Sequence, residues 1–152
     1  MLVLQTPAAF ADHIGERLGP TAWRSLGQDE VNSFADLSGD DQWIHVDAER
    51  AAREWPDGRT IVHGLFVLSL IPAWQRELFR IERRGAGLNY GYDRVRFTAP
   101  VPVGAPIRLM QTVAEICPHR HGTRISLTST IEVDTPGRTA LVADCIILIS
   151  EP

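Results

Sequence analysis

The run HGLFVLSLIPAWQRELFRIE, His63 to Glu82, decides the architecture. Its first two turns are apolar almost all round before charges enter, and a helix apolar on every side is one that protein surrounds. Pro72 sits in the middle and, lacking an N–H, is expected to bend the helix or loosen a turn. After RRGAGLN the texture becomes alternating and rich in Val, Ile and Thr. Strands are expected over Tyr90–Phe97, Ile107–Cys117, His121–Val133 and Thr139–Ser150, three long and the first shorter. Turn compositions separate them: APVPVGAP, PHRH and DTPGR. The fold class is therefore α+β, a buried helix laid across an antiparallel meander. One sheet covers one side of such a helix, so short N-terminal helices or a second copy of the chain must cover the rest.

Upstream, Thr6-Pro7 opens a helix expected over residues 7–18, with Phe10, Ile14 and Leu18 on one face and Gly19-Pro20 as its stop. TAWRSL reads as a short strand. Asp29–Leu37 repeats apolar residues at helical spacing until Gly39 ends it, and DAERAAREW is a helix capped by Asp47 and broken by Pro56.

The totals are those of an ordinary globular protein of 152 residues, read as one domain over 1–152: 44% hydrophobic, 22% charged. A net charge of −4 gives no general attraction to nucleic acid or to an anionic membrane. All fifteen basic residues are arginine, a group suited to gripping phosphate, and Arg83, Arg84, Arg94 and Arg96 are candidates for that. Cys117 and Cys145 form neither a disulfide framework nor a zinc spacing, which fits a reducing cytoplasm. No basic leader or apolar run of membrane-spanning length is read, so neither export nor a membrane partner is expected.

Two constellations carry chemistry. In SGDDQWIHVD, Ser38 to Asp47, apolar residues stand beside acids and a histidine, and burying charge without a purpose is costly. Asp40 and His45, if they meet, can hold a water and move its proton. The plainer reading makes Asp40 a turn residue after Gly39 and His45 a satisfied half-buried side chain. In TIVHGLF, His63-Gly64 opens the buried helix, whose first amides lack internal partners, so the Gly64 N–H can donate to a developing oxyanion. Gly64 can equally serve packing alone, and His63 capping alone. Trp43 and Ile44 are expected to wall the site against water, with Asp41 pointing elsewhere. His119 and His121 form a weak metal pair; no metal site and no cofactor are expected, and no GxGxxG, P-loop or GxSxG occurs.

FADLSGDDQWIHVDAERA, Phe34 to Ala51, resembles the signature of the MaoC-like (R)-specific enoyl-CoA hydratases, the hydratase 2 family. TIVHGLFVLSLIPAW resembles the start of that family's central helix, and LNYGYDRVRFTAPVPVGAPIR the strand and turn after it. Gln42-Trp43 replaces the Asn-Pro common in better-studied members, and GDDQWIH with NYG is closer to the branch named after nodulation protein N. The resemblance implies a hot-dog fold, usually a homodimer with one continuous sheet, acting on trans-2-enoyl-CoA to give (3R)-3-hydroxyacyl-CoA. It implies that Asp40 and His45 activate the water, that the Gly64 amide holds the thioester oxygen, and that His63, Asn89 and Tyr90 line the substrate or water pocket. A thioesterase on the same fold and a non-catalytic acyl-thioester-binding subunit are the alternatives.

Overall fold

The computed structural model describes residues 1–152. Four long strands, β5 (Gly87–Phe97), β6 (Pro106–His119), β7 (Gly122–Val133) and β8 (Thr139–Ile149), follow three short ones, β1 (Leu2–Leu4), β2 (Arg17–Leu18) and β3 (Arg24–Ser25), and a fourth, β4 (Phe79–Ile81). The main sheet is antiparallel, in the order β2-β6-β7-β8-β5, with β3 also on β6. On β7 the alternation is the sequence pattern made solid: Ile125, Leu127 and Ile131 are buried while Arg124, Ser126 and Thr128 are half-covered. β5, expected to be the shorter strand, extends through Gly87 and has a free outer edge.

The segment expected as one long helix is two. α4 (Gly64–Ser69) stops and α5 (Ile71–Leu78) restarts, because Pro72 cannot donate to the Leu68 carbonyl and the ladder is re-initiated from Leu70, whose carbonyl accepts from Ala73 and Trp74. Val67, Leu70, Ile71, Trp74 and Leu78 enter one cluster with Ile107, Leu109, Ile125, Leu127 and Leu141 from the sheet. Burying those five helix side chains is worth on the order of 10 kcal/mol, an upper estimate. The helix ends at Leu78, since Phe79–Ile81 pairs in parallel with Leu2–Leu4.

The expected helix over residues 7–18 is instead a 3-10 helix, Pro7–His13. Gly15, at φ +86, turns the chain and donates to the Val113 carbonyl at 2.8 Å, which draws Arg17 and Leu18 onto β6. Sheet pairing outweighs local helical spacing there. α1 (Gln28–Ser38) ends on Gly39, in the left-handed region at φ +76, its N–H on the Ala35 carbonyl. α2 (Trp43–Val46) and α3 (Ala48–Glu54) follow, the latter capped by the Asp47 carboxylate on the Arg50 N–H. No helix is long and apolar enough to cross a membrane.

Candidate active site

The turn at Gly39 and the start of α4 meet at one cavity of about 350 Å3, whose lining includes Asp40, His45, His63, Gly64, Leu65 and Phe97. Several tethers hold the pieces. The Ile61 N–H donates to the Ile44 carbonyl at 2.9 Å, and His45 Nδ1 donates to the Ile61 carbonyl at 2.7 Å. Residues 60–62 are in turn laced to the turn after β5, with Val62 N–H on the Val101 carbonyl and Val103 N–H on the Thr60 carbonyl, both 2.8 Å. Gln28, a residue with no signal in the sequence, donates to the His45 carbonyl at 2.7 Å and accepts from the Thr60 hydroxyl.

These bonds fix two tautomers, since a carbonyl oxygen only accepts. His45 commits the Nδ1 proton to Ile61, leaving the Nε2 lone pair for chemistry. His63 donates from Nε2 to the Asp40 backbone carbonyl at 2.8 Å, holding the turn, and its buried Nδ1 has no partner. The two imidazoles stack at 3.8 Å, and Phe34 packs on His63 at 5.0 Å and on Phe66 at 4.9 Å. Burial of His45 pushes its pKa below the usual imidazole range; the Ile61 carbonyl and the Asp40 charge oppose the shift, while His63 adds to it. His45 is thus a neutral base at neutral pH. The side chains of Asp40, His45 and His63 bring one nitrogen or oxygen atom each within 4.8 Å of one another. That set matches the ligand count of a divalent cation site, with one ring nitrogen of each histidine already engaged by a backbone carbonyl.

Gly64 is the first residue of α4, and its N–H has no acceptor within the chain. A Cβ there would lie 2.7 Å from Cδ1 and Cε1 of Phe97, so glycine is what lets the ring and the free amide share the cavity wall. His63 flanks the amide but makes no side-chain cap.

The structure does not bring every candidate to this cavity. Trp43 faces outward, edge-on to Trp55 at 6.2 Å and under the Arg50 guanidinium at 4.2 Å. With His45 inward, a residue two positions earlier on a helical turn points to the opposite side. Asp40 and Asp41 are both solvent-exposed, so the charge beside Trp43 and Ile44 is not buried as expected; the difference between the two is that Asp40 reaches the cavity lining and Asp41 does not. Asn89 and Tyr90 lie at the other end of β5, Tyr90 exposed beside His119 and Asn89 in a second cavity. His119 Nδ1 accepts from the His121 N–H, and the two rings stand 5.6 Å apart. Leu65, Val67 and Phe97 shape the cavity, while Leu70 and Trp74 on the same helical segment are core residues. Phe97, unremarked in the sequence, is the wall opposite the glycine.

Helices laid over a five-strand antiparallel path with the longest free edge on β5 are the hot-dog fold, and an acid and an imidazole facing a free helix-opening amide suit addition or removal of water. The MaoC like domain matches residues 9–135, and the chain belongs to this family; it is an enzyme of the hydratase/dehydratase class. It is 39% identical over 148 residues to 3-hydroxyacyl-thioester dehydratase Z of Mycobacterium tuberculosis, with 97% of each chain covered. It is 40% identical over 145 residues to nodulation protein N of Rhizobium leguminosarum bv. viciae, covering 93% of this chain and 89% of that one. The unliganded R-hydratase PhaJ1 from Pseudomonas aeruginosa shares the fold at a TM-score of 0.76 and 23% identity, over 98% of this chain and 89% of that one.

Proposed function

We propose that the protein hydrates trans-2-enoyl-CoA to (3R)-3-hydroxyacyl-CoA, reversibly. The observation that carries this reading is the free Gly64 N–H sharing a cavity with the Asp40 carboxylate and the open Nε2 of His45. The thioester oxygen sits on the Gly64 amide. Asp40 and His45 Nε2 hold a water against the β-carbon; as its oxygen bonds that carbon, His45 takes its proton. The double-bond electrons shift onto the thioester as an enolate, whose oxygen the amide stabilises. The α-carbon then receives a proton from the Asp40–His45 pair, and the bases return to their starting states. Leu65, Val67, Phe97 and Leu141 line the cavity with apolar surface, and an acyl chain laid against them displaces water from beside these charges and strengthens them. The relatives named as thioester dehydratases support the substrate class, and the R-hydratase fold supports the stereochemistry.

The acting form is a homodimer. β5 offers an eleven-residue free edge, and Leu88, Tyr90 and Phe97 along it are about half exposed, as is Leu65 at the cavity mouth. An edge of that length and apolarity needs a partner, and a second copy of itself is complementary to it. Incubation with crotonyl-CoA tests the activity: the enoyl absorbance falls with no free thiol released, and a dehydrogenase specific for the (S)-alcohol finds no substrate in the product. Thiol release in step with the absorbance change would make the protein a thioesterase, and binding without turnover a carrier subunit.

A further inference from the structure

A closed circuit of hydrogen bonds runs around His45, and the Gln28 side chain is its hub. Gln28 Nε2 donates to the His45 carbonyl at 2.7 Å and to Asn32 Oδ1 at 2.9 Å, while Oε1 accepts from the Thr60 hydroxyl at 2.5 Å. A carbonyl oxygen only accepts, so the His45 contact settles which way the amide points, and its donors and its acceptor are all in use. One residue beyond Thr60, the Ile61 carbonyl takes the His45 Nδ1 proton at 2.7 Å. The backbone of His45 and its ring are thus held by two separate arms that end on adjacent residues.

The circuit closes a gap that α2 leaves. That helix is four residues long, and no backbone N–H donates to the His45 carbonyl near its end. Gln28 supplies the donor, and it stands on a firm base. Leu26, just before it, is 1% exposed with its carbonyl on the Gly104 N–H at 2.8 Å, and Val31 and Ala35 bury the following turns of α1. Thr60 is 3% exposed, its own carbonyl on the Val103 N–H at 2.8 Å. The residue type at position 28 is restricted. A carboxylate has no proton for the His45 carbonyl, a cationic side chain has no lone pair for the Thr60 hydroxyl, and an apolar one has neither.

What the circuit protects is the choice of nitrogen. In a neutral imidazole one nitrogen carries the proton and the other the lone pair. A ring that loses the Ile61 carbonyl is free to carry the proton on Nε2, and then has no lone pair to offer the water.

We propose that Gln28, acting with Thr60, is the positioning residue for the His45 base: it sets α2 against residues 60–62 and thereby the tautomer whose Nε2 takes the proton of the attacking water. Neither side chain lines the cavity, so both act through His45. The kinetic consequence rests on the hydratase reading; the tautomer rests on the hydrogen bonds alone.

The test uses Gln28→Met, similar in length with no N–H to donate, and Gln28→Glu, which keeps an acceptor for Thr60 and loses the donor to His45. Thr60→Val has the shape of threonine without the hydroxyl. Each folded variant is read twice, by steady-state hydration of crotonyl-CoA and by the ring nitrogen NMR signals of His45 in a sample with isotope-labelled histidine. The spectra are taken at about pH 8, above the ordinary imidazole pKa of about 6.5, and assigned by their loss in His45→Gln. The wild type shows one tautomer, with the proton on Nδ1. Both Gln28 variants lower kcat roughly tenfold to a hundredfold with KM within about twofold, the scale of a reacting group displaced by about 1 Å, and their spectra show a mixture of tautomers. Thr60→Val falls less in the same direction, and Thr60→Ser, which keeps the hydroxyl, restores the activity. The Gln28→Met/Thr60→Val double variant is no worse than Gln28→Met alone, because both break one circuit. Gln28 variants that melt lower yet keep the wild-type kcat per folded molecule overturn the proposal, as does a loss carried by KM or an unchanged tautomer. Additive losses in the double variant overturn the pairing with Thr60. A wild type inactive on crotonyl-CoA removes the hydratase reading and leaves the spectra as the test of Gln28, which separates the two failures.

Discussion

Replacing Gly64 by alanine separates an oxyanion donor from a packing glycine. The added Cβ would meet Cδ1 and Cε1 of Phe97 at 2.7 Å and Cγ at 3.0 Å. Ordinary carbon contacts are about 3.5–4.0 Å, so the ring must retreat by roughly 1 Å. It can do so, because Phe97 stands on the strand edge and outside the core cluster, so its shift opens no gap in the core. The strain is therefore small, and alanine's better helical propensity, worth about 1 kcal/mol against glycine, offsets part of it. Net stability should change by no more than about 1 kcal/mol, a melting shift of roughly 2–4 °C for a chain of this size. Activity should not be spared. Alanine keeps the N–H but puts a methyl group and a displaced Phe97 ring on the cavity wall beside it, and a thioester oxygen held off such a donor forfeits up to about 3–4 kcal/mol in the barrier, a fall in kcat of up to roughly two to three orders of magnitude. Steady-state hydration of crotonyl-CoA, alongside a thermal melt of the same preparation, measures both quantities. A folded variant within about threefold of wild-type kcat would refute the oxyanion role and leave Gly64 a packing residue.

Asp40→Asn should lower kcat by at least about two orders of magnitude with folding intact, and so should His45→Gln, while Asp41→Asn keeps most activity because its side chain is outside the cavity; the reverse order in purified, folded variants would break the pairing of Asp40 with His45. Because burial lowers the His45 pKa, its acid limb in kcat/KM lies below the ordinary imidazole value of about 6.5. The sign for stability is that of a depressed group: the contribution is present above about pH 6.5 and is lost as pH falls through the lower folded pKa, so denaturant midpoints should drop on acidification and drop less in His45→Gln. Glu132 accepts from Arg108 at 2.7 Å and from the Gly137 N–H at 2.7 Å while almost wholly buried; burial alone would raise its pKa, and these partners outweigh it to hold the group below the usual carboxylate range. Glu132→Gln leaves Arg108 without its counter-charge, and a melt should show a loss of about 3 kcal/mol with activity per folded molecule retained.

What the sequence shows directly follows from where each residue's neighbours come from. The long strands are legible because a period of two depends on the strand alone, and β7 alternates as written. The N-terminal helix is misread because Gly15 and Leu18 answer to β6, whose contribution comes from residues almost a hundred positions later. The same division runs through the site. Gly39 and Asp40 are legible as a turn and its acid, since the left-handed glycine acts within its own segment. Trp43 is misplaced because α2 is a single helical turn, and its direction is set by which residue the cavity claims. His45 can be named from its spacing to Asp40, but which of its nitrogens is left free is decided by the Ile61 carbonyl. That carbonyl is held in place because Thr60 and Val62 are laced to Val103 and Val101, beyond the end of β5. The turn that follows the free-edged strand β5 therefore anchors the segment that fixes the His45 tautomer. A substitution that displaced the turn at Val101–Val103 should impair the base without touching it.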